Sequence, residues 1–514
     1  MYIKLFALLL FLCGSMQLFA RELGLIPIPA VVTEHQGEFK AKAGVRLYVG
    51  ADVSDFNVEL LDSMFRTEFE VGVDRVLSLS DATISLGVDP SLPSEGYVLN
   101  VNQDAISLYG GSNAGIYYGL MTISQLVESS DKGGIPCVEI EDSPRYSYRA
   151  LMLDPARHFL PIDHVKGFVD LMSKFKYNVL QLHLTDDQGW RVEIKSHKEL
   201  TQGQEYYTRE ELQSLVRYAE ERNVELVPEI DIPGHTAAFL VAHPELMCRH
   251  NESLKISLGE TVNLMLCASR PEVYSVYDDI IGELASIFSS DVIHLGGDES
   301  AIDANWAKCS ADSALVAKLG LNSATDLMEY FFCEIFKSVY KHGKRPMLWC
   351  ELDNIYMPAS KYLFPYPQDV MLVTWRNGLT PKCIELTEQS GNKLIMAPGE
   401  YAYLDYPQYK NDFPEFNNWG MPITTLERVY EFDPSYGGEH PMICGVMGTL
   451  WAEAMPDINR VTYMAFPRAL ALAEVGWSMQ ERKNWESFKS RLVPVLSTMM
   501  TMGVSFRVPF EIYR

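Results

Sequence analysis

The sequence is poor in basic residues for its length. Its 514 residues include 43 Lys and Arg against 68 Asp and Glu, which gives a formal charge of −25 at pH 7. No basic block along the chain could follow a phosphate backbone. The composition therefore argues against a nucleic-acid partner.

Several motifs of common binding sites are also absent. The cysteines form no C-x-x-C pair, which argues against a structural zinc site. No G-x-G-x-x-G or P-loop pattern follows an apolar strand pattern, which removes the usual nucleotide sites of open α/β sheets. Internal repeats and low-complexity segments are missing as well, so the pattern is not that of a repeat protein.

Long apolar runs are confined to the start of the chain. Leu5–Cys13 follows Lys4 and precedes Leu18-Phe19-Ala20, an order typical of a secretory signal over residues 1–20. The run is shorter than the roughly 20 residues that a membrane-spanning helix needs. We therefore expect a mature chain without a membrane span, located in the periplasm, at the cell surface or in the medium.

Two cysteines flank one loop of the expected mature chain. In an oxidising compartment Cys248 and Cys267 could form a disulfide, but buried free thiols explain these positions equally well. The sequence leaves both alternatives open. Asn251-Glu-Ser253 in the same loop would accept a glycan only in a eukaryotic secretory pathway.

The composition is that of a globular protein. Hydrophobic residues make up 47% of the chain and aromatic residues 11%, enough for a large core. Residues 21–143 carry short strand patterns and a helical pattern near Asn113 to Glu128, which predict a small α+β domain. The strand patterns of this domain are Arg46–Val49, Ala82–Leu86, Gly96–Val101 and Ala105–Tyr109.

Residues 144–514 alternate apolar strand patterns with helical ones. Helical signals include the capping box Thr208-Arg-Glu-Glu211 and the amphipathic stretch from Pro271 to Phe288. Eight strands alternating with helices predict a (β/α)8 barrel, with a doubly wound open sheet as the alternative. The candidate strands are Ala150–Leu153, Val179–Leu184, Val224–Ile230, Val292–Leu295, Pro346–Leu348, Val370–Thr374, Lys393–Met396 and Gly445–Leu450.

In a barrel, the residues that follow each strand meet in one pocket. Here they include many carboxylates, an arginine and three tryptophans. Carboxylates and Arg bind sugar hydroxyls, and flat indoles cover apolar sugar faces, so this set indicates sugar chemistry. The set comprises Asp154, Arg157, Asp186, Asp187, Glu229, Asp231, His235, Asp298, Glu299, Trp349, Glu351, Trp375, Arg376, Asp405, Trp451 and Glu453.

The sharpest local pattern is Gly296-Gly297-Asp298-Glu299 after an apolar strand. The glycines permit a tight turn, and the two acids then leave the strand on diverging sides. Adjacent carboxylates repel, so one can stay protonated and act as a general acid. Two neighbours on one strand end are poorly placed as the acid and nucleophile of an ordinary retaining glycosidase, which need roughly 5 Å across the anomeric carbon.

Six segments together resemble glycoside hydrolase family 20, the β-N-acetylhexosaminidases. The resemblance covers the chain from about Tyr146 onward, and the leading domain is similar to the α+β domain that usually precedes this barrel. The segments are Asp154-Pro-Ala-Arg157-His158-Phe159, His183-Leu-Thr-Asp186-Asp-Gln-Gly-Trp-Arg191, Glu229-Ile-Asp231-Ile-Pro-Gly-His235-Thr236, His294-Leu-Gly-Gly-Asp298-Glu299, Tyr403-Leu-Asp405 and Leu450-Trp451-Ala-Glu453.

The resemblance implies a role for each matching residue. Glu299 would be the general acid/base, Asp298 would hold the N–H of a 2-acetamido group, and Tyr403 would bind the acetamide oxygen. Trp349, Trp375 and Trp451 would wall the acetamide methyl and the sugar ring. Arg157, Asp405 and Glu453 would hold the outer hydroxyls of the terminal sugar. Asp186, Asp231 and His235 would support Glu299 from behind.

The resemblance also implies the reaction. The enzyme would remove terminal β-linked N-acetylglucosamine or N-acetylgalactosamine from glycans with retention, through an oxazolinium ion and without a cofactor or metal. Release of a disaccharide is an alternative within the family. Two remoter alternatives are a metal-dependent deacetylase using His183, His235, His294 and Asp298, and a non-catalytic glycan-binding protein.

Other candidates have structural explanations from the sequence alone. His183 and His294 lie within strand patterns and are expected in the core or behind the site. Trp190, Trp306 and Trp477 receive no functional role, and Asp187 and Glu351 are expected in structural ion pairs.

Overall fold

The computed structural model describes residues 23–42, 44–130, 133–248, 264–351, 367–410, 412 and 421–513. The expected signal segment 1–20 and the glycan acceptor Asn251 lie outside these residues. The described chain forms an N-terminal mixed sheet with helices, followed by a closed eight-stranded parallel barrel surrounded by helices. The predicted combination of a small α+β domain and a (β/α)8 barrel is therefore confirmed.

The N-terminal sheet has seven strands in the order β1-β7-β5-β6-β4-β2-β3. Pairing is antiparallel from β1 to β6 and parallel from β6 to β3. The elements are β1 (Val31–Phe39), β2 (Val45–Val49), α1 (Asp55–Phe69), β3 (Val73–Val76), β4 (Ile84–Val88), β5 (Tyr97–Val101), β6 (Ile106–Gly110), α2 (Asn113–Glu128) and β7 (Ile135–Asp142). Both edge strands, β1 and β3, escaped the sequence analysis because they are largely exposed and lack an apolar repeat.

The barrel strands follow one another around the barrel in chain order, and the last pairs with the first. Every strand begins and ends within two residues of its predicted range. The strands are β8 (Tyr148–Leu153), β9 (Val179–His183), β10 (Glu225–Glu229), β11 (Val292–His294), β12 (Arg345–Trp349), β13 (Met371–Thr374), β14 (Leu394–Met396) and β15 (Ile443–Leu450).

Helices cover the outside of the barrel. The predicted capping box is confirmed, since the Thr208 hydroxyl accepts the Glu211 N–H and the Glu211 carboxylate accepts the Thr208 N–H. In the described part of the chain, no helix combines the length and apolar character needed to cross a membrane. The helices are α3 (Ile162–Lys174), α4 (Arg209–Glu221), α5 (Ala237–Ala242), α6 (Pro271–Ile287), α7 (Ser310–Leu319), α8 (Leu327–Lys341), α9 (Thr380–Ser390), α10 (Gly399–Ala402), α11 (Leu426–Glu431), α12 (Ile458–Ala465), α13 (Arg468–Trp477) and α14 (Trp485–Thr501).

A buried ion pair joins the sheet to the barrel. The Lys176 ammonium, just after α3, donates to Asp142 at the end of β7 over 2.9 Å and to the Tyr97 hydroxyl over 3.0 Å. Asp142 also accepts from the Trp477 indole at 3.0 Å. Lys176 and Asp142 are almost completely buried. Because every charge in this cluster has partners, the cluster fixes the position of the sheet against the barrel.

Replacing Lys176 by methionine is expected to destabilise the protein by roughly 3–5 kcal/mol, because it leaves the Asp142 carboxylate buried without its cation. Thermal unfolding followed by circular dichroism measures the effect as a lower Tm. Lys318→Met, on the exposed surface of α7, is the matched control and should leave Tm unchanged. Equal melting of both variants would contradict a stabilising role for the pair.

Candidate active site

A pocket of about 140 Å³ opens at the carboxyl ends of the barrel strands. Residues from separate strand ends converge there, as the barrel requires. Most of the sequence-predicted site residues line this pocket, while Trp349, Asp186 and Asp231 lie behind the wall. The lining residues are Arg157, His235, Asp298, Glu299, Trp375, Tyr403, Asp405, Tyr406, Met421, Trp451, Glu453, Ala454 and Met455.

The turn after β11 presents the two acids. Gly296 and Gly297 adopt φ values of 66° and 97°, and Glu299 follows at 46°. A Cβ atom on Gly296 would lie 1.8 Å from Oδ1 of Asp231. The Gly297 N–H donates to the same oxygen over 3.1 Å. The turn therefore requires glycine, and Asp231 fixes its shape from beneath.

Replacing Gly296 by alanine is expected to abolish most activity and to lower Tm, because the new methyl group must displace Asp231 and the backbone is strained at positive φ. Gly167→Ala is the control, since no atom lies within 4 Å of its added Cβ and the residue sits inside α3. That control should keep activity and match or exceed the parent's Tm, because alanine favours helix by about 1 kcal/mol over glycine. Full activity in Gly296→Ala would contradict the tight turn.

Asp298 and Glu299 point to different environments. The Asp298 side chain is 11% exposed, whereas that of Glu299 is 44% exposed. The Nε2 atom of His235 lies 3.8 Å from one carboxylate oxygen of each. Oδ1 of Asp298 is buried and has no hydrogen-bond partner among the described residues. Glu299 is thus an acid that solvent and a leaving group can reach. Asp298 is a buried hydrogen-bond acceptor without a donor among the described residues.

Two residues that received no catalytic role hold Glu299. Its backbone N–H donates to Oε2 of Glu351 over 3.2 Å. Arg376 donates to Oε1 of Glu351 over 2.7 Å and lies 3.7 Å from Oε1 of Glu299. Glu351 therefore takes part in an ion pair, as expected, and that pair also positions the exposed acid. Little in the sequence indicates this contact, because Arg376 belongs to no motif and comes close to Glu299 only in the folded barrel.

The imidazole of His235 rests on Asp186. Nδ1 of His235 is 3.3 Å from Oδ1 of Asp186, while Arg157 and His183 contact Oδ2 at 2.9 Å and 2.8 Å. Burial favours the neutral acid, but the charges of Arg157 and His235 hold the pKa of Asp186 well below its usual value. Burial likewise lowers the pKa of His235, but Asp186 outweighs it and raises that pKa well above the usual value. The carboxylate of Asp186 therefore favours the charged form of His235.

Asp231 differs from Asp186 because no cation pairs with it closely. Burial and the nearby charge of Asp298 raise the pKa of Asp231 well above its usual value. Both causes favour the neutral form of Asp231. The ligand atoms of Asp231, His235 and Asp298 lie within 4.8 Å of one another.

Glu229 organises the barrel interior below the pocket. Its carboxylate lies 3.0 Å from Nδ1 of His183 and 3.1 Å from Nδ1 of His294, and all three side chains are fully buried. Oε1 of Glu229 also accepts the Trp349 indole N–H over 2.8 Å. The two histidines are core residues behind the site, as expected. Glu229 was noted only as a strand-end acid, although it fixes Trp349.

The tryptophans occupy two levels. Trp451 and Trp375 line the pocket, and the buried Trp349 lies 5.7 Å from Trp451, centroid to centroid. Tyr403 also lines the pocket, and burial raises the pKa of its phenol well above the usual value, so it remains a hydrogen-bond donor. The indole Nε1 of Trp375 is buried without a hydrogen-bond partner in the described part of the chain.

One arginine, Arg157, and two acids, Asp405 and Glu453, line one part of the pocket. The guanidinium of Arg157 stacks 4.8 Å from the Trp451 ring and lies 3.7 Å from Oε1 of Glu453. Burial and the charge of Glu453 raise the pKa of Asp405 well above its usual value. Nε of Arg157 and Oδ1 of Asp405 are buried and find no hydrogen-bond partner within the described ranges.

The remaining predicted residues have structural positions. Trp190, Trp306 and Trp477 are fully buried packing residues. Asp187 accepts the N–H of Ala237, the first residue of α5, over 3.0 Å. Its structural role is therefore at the start of this helix rather than in the expected ion pair. Cys248 and Cys267 are free thiols whose sulfurs contact Asp312 at 3.1 Å and 3.3 Å.

Comparisons with known proteins agree with this geometry. The model of glycosyl hydrolase family 20, catalytic domain, matches residues 146–480, and that of domain 2 of the same family matches residues 22–143. A β-hexosaminidase of Akkermansia muciniphila is 36% identical over 451 residues, which cover 83% of this chain and 87% of the relative. A β-hexosaminidase of Porphyromonas gingivalis is 31% identical over 95% of this chain and 64% of the relative. The crystal structure of the exo β-N-acetylglucosaminidase of Vibrio harveyi in complex with N-acetylglucosamine matches with a TM-score of 0.83 at 26% identity, over 95% of this chain and 79% of that one.

Proposed function

Because the chain belongs to glycosyl hydrolase family 20, we propose that it is an exo-acting β-N-acetylhexosaminidase that releases terminal N-acetylglucosamine or N-acetylgalactosamine from glycans. One observation carries the proposal. The pocket that holds Asp298 and Glu299 also contains buried polar atoms without partners among the described residues, on Asp298, Asp405, Trp375 and Arg157. Buried polar groups cost stability unless they are hydrogen-bonded, so these atoms are suited to form hydrogen bonds with a polar ligand such as a sugar.

The substrate's acetamide group supplies the nucleophile. The acetamide oxygen attacks C1 of the terminal sugar, and Glu299 donates its proton to the departing glycosidic oxygen as the C1–O bond breaks. The product of this step is an oxazolinium ion. Glu299, now a carboxylate, takes a proton from water as the water oxygen attacks C1. The bond between C1 and the acetamide oxygen breaks in the same step, which restores the acetamide group and retains the β configuration.

Asp298 and Tyr403 hold the acetamide in position for this attack. The buried Oδ1 of Asp298 accepts the acetamide N–H and balances the positive charge that develops on the ring. The phenolic O–H of Tyr403 donates a hydrogen bond to the acetamide oxygen. Asp231 supports the turn by accepting the Gly297 N–H, and Nε2 of His235 lies 3.8 Å from both catalytic carboxylates.

The shape of the pocket supports exo action. Arg157, Asp405 and Glu453 hold the hydroxyls at C3, C4 and C6, which leaves no room for a further sugar on the non-reducing side. Trp375 and Trp451 cover the sugar, and Trp349 supports Trp451 from beneath.

Hydrolysis of aryl glycosides tests the proposal. We expect rapid release of the aryl group from 4-nitrophenyl 2-acetamido-2-deoxy-β-glucoside and almost none from the matching plain β-glucoside. Proton NMR should show the β anomer as the first sugar product. Activity on both glycosides, or an α anomer, would contradict the mechanism.

Chain-end specificity is tested with a reduced N-acetylglucosamine oligomer. Exo action predicts only monosaccharide from the non-reducing end. Disaccharide as the first product would instead indicate the disaccharide-releasing alternative, and internal cleavage would contradict exo action altogether.

Secretion is a further part of the proposal. The charged start, the short apolar run and Ala20 support cleavage near Arg21 and export to the periplasm, cell surface or medium. N-terminal sequencing of the mature protein from its own host should begin near Arg21. A soluble cytoplasmic form that retains Met1 would contradict export.

A further inference from the structure

A second group of chemically active side chains lies outside the pocket. His197 and Glu199 belong to the connection between β9 and α4, and His243 directly follows α5. None of these three residues, hereafter the two-histidine cluster, is among the described residues that line the pocket. The sequence analysis assigned no metal site here, because 43 residues lie between Glu199 and His243 and no short motif marks the set.

The donor atoms of the two-histidine cluster have the spacing of a metal site. Oε1 of Glu199 lies 3.4 Å from Nδ1 of His197 and 3.2 Å from Nε2 of His243. One ligand atom from each residue lies within 4.8 Å of those of the other two. A tetrahedral zinc ion with bonds of about 2.0–2.1 Å separates its ligand atoms by about 3.3–3.4 Å.

The outward-facing nitrogens meet carboxylates of neighbouring elements. Nδ1 of His243 hydrogen-bonds Oε1 of Glu245 at 3.3 Å, and Nε2 of His197 lies 3.5 Å from Oδ2 of Asp279 on α6. Metal-binding histidines usually pair their second nitrogen with a carboxylate in this way, which fixes the tautomer and strengthens the ligand. His243 thus has the hydrogen-bonded outer carboxylate that is usual for a metal ligand, whereas Nε2 of His197 lies near the Asp279 carboxylate without a hydrogen bond to it.

Burial of His243 points in the same direction. Its side chain is 11% exposed, and its Nε2 atom is shielded from solvent and lies 3.2 Å from Oε1 of Glu199 without forming a hydrogen bond among the described residues. A buried nitrogen that makes no hydrogen bond costs stability, and a metal ion bound by this nitrogen would remove that cost. The side chain of Glu199 is 44% exposed, so an ion can reach the cluster from the side of Glu199.

We propose that the two-histidine cluster binds one zinc ion through Nδ1 of His197, Oε1 of Glu199 and Nε2 of His243, with water as the fourth ligand. The ion would tie two connections at the carboxyl end of the barrel together. One of them contains α5, which begins two residues after His235. The site is structural, so it stabilises the segment that carries His235 and takes no part in bond cleavage.

The test uses the full chain after removal of metals with EDTA and dialysis. Titration with zinc sulfate by isothermal calorimetry should show one ion per chain, and saturating zinc should raise Tm by a few degrees. X-ray absorption should show only nitrogen and oxygen ligands. Sulfur ligands would place the ion on Cys248 or Cys309 instead and would overturn the proposal.

Three variants separate this site from adventitious binding. His197→Gln with His243→Gln should abolish stoichiometric binding, and Glu245→Gln should weaken it by about 10- to 100-fold. His440→Gln, whose imidazole pairs with Glu388 elsewhere, should bind zinc as the parent does. Circular dichroism verifies that all variants are folded. Unchanged binding in the double variant, or only millimolar binding in the parent, would overturn the proposal.

Discussion

Replacing Glu299 by glutamine is expected to lower kcat on oligosaccharides by roughly 10²- to 10⁴-fold, because an amide cannot protonate the departing glycosidic oxygen. The loss should be much smaller on aryl glycosides with very good leaving groups, which leave without protonation. The measurement compares kcat for chitobiose and for 2,4-dinitrophenyl 2-acetamido-2-deoxy-β-glucoside in the same preparation.

The control for this variant is Glu221→Gln, which changes an exposed glutamate on α4 and should leave both rates unchanged. An equal loss on the two substrates in Glu299→Gln would show that Glu299 is not the proton donor. Another carboxylate of the pocket, with Asp405 or Glu453 first, would then have to be examined.

Replacing Asp298 by asparagine is expected to lower the rate by a comparable factor on every substrate, including those with good leaving groups. The amide keeps the shape of the side chain but cannot balance the positive charge of the oxazolinium ion. It should also weaken binding of a thiazoline analogue of that ion, which the parent should bind far more tightly than substrate. Inhibition kinetics of both proteins measure the difference.

A fluorinated substrate series checks the nucleophile behind this prediction. Each fluorine on the acetamide methyl withdraws electron density from the attacking oxygen, so the parent's rate should fall steeply along the series. A flat series, or a sugar trapped covalently on a protein carboxylate, would show that the protein supplies its own nucleophile and would contradict the role of Asp298.

The catalytic turn was predictable because its information is local. Gly296 and Gly297 follow an apolar strand directly, and only glycine fits the backbone beside Asp231. The barrel was predictable for a related reason, since its buried strands read as continuous apolar runs. In both cases the pattern that predicts the element lies in neighbouring residues, although the contact of Gly296 with Asp231 is between distant segments.

Features that depend on contacts between distant segments were harder to predict. Arg376 meets Glu299 and Glu351 only because three strand ends come together, and no motif marks that meeting. Trp349 appears at a strand end like the other tryptophans, yet its bond to Glu229 holds it below the pocket wall. Its direct contact with the acetamide group therefore stays a prediction.

Closure of the barrel determines when activity can arise as the chain folds. The Asp154 carboxylate of the first barrel strand accepts the Ala452 N–H after the last one over 2.9 Å, across 298 residues of sequence. Arg157 and Glu453 face each other only once this contact has formed. Contacts of such long range form slowly, because the intervening loop must first be ordered. We therefore expect the sugar pocket to form late in folding, so that recovery of activity during refolding follows closure of the barrel rather than formation of its helices.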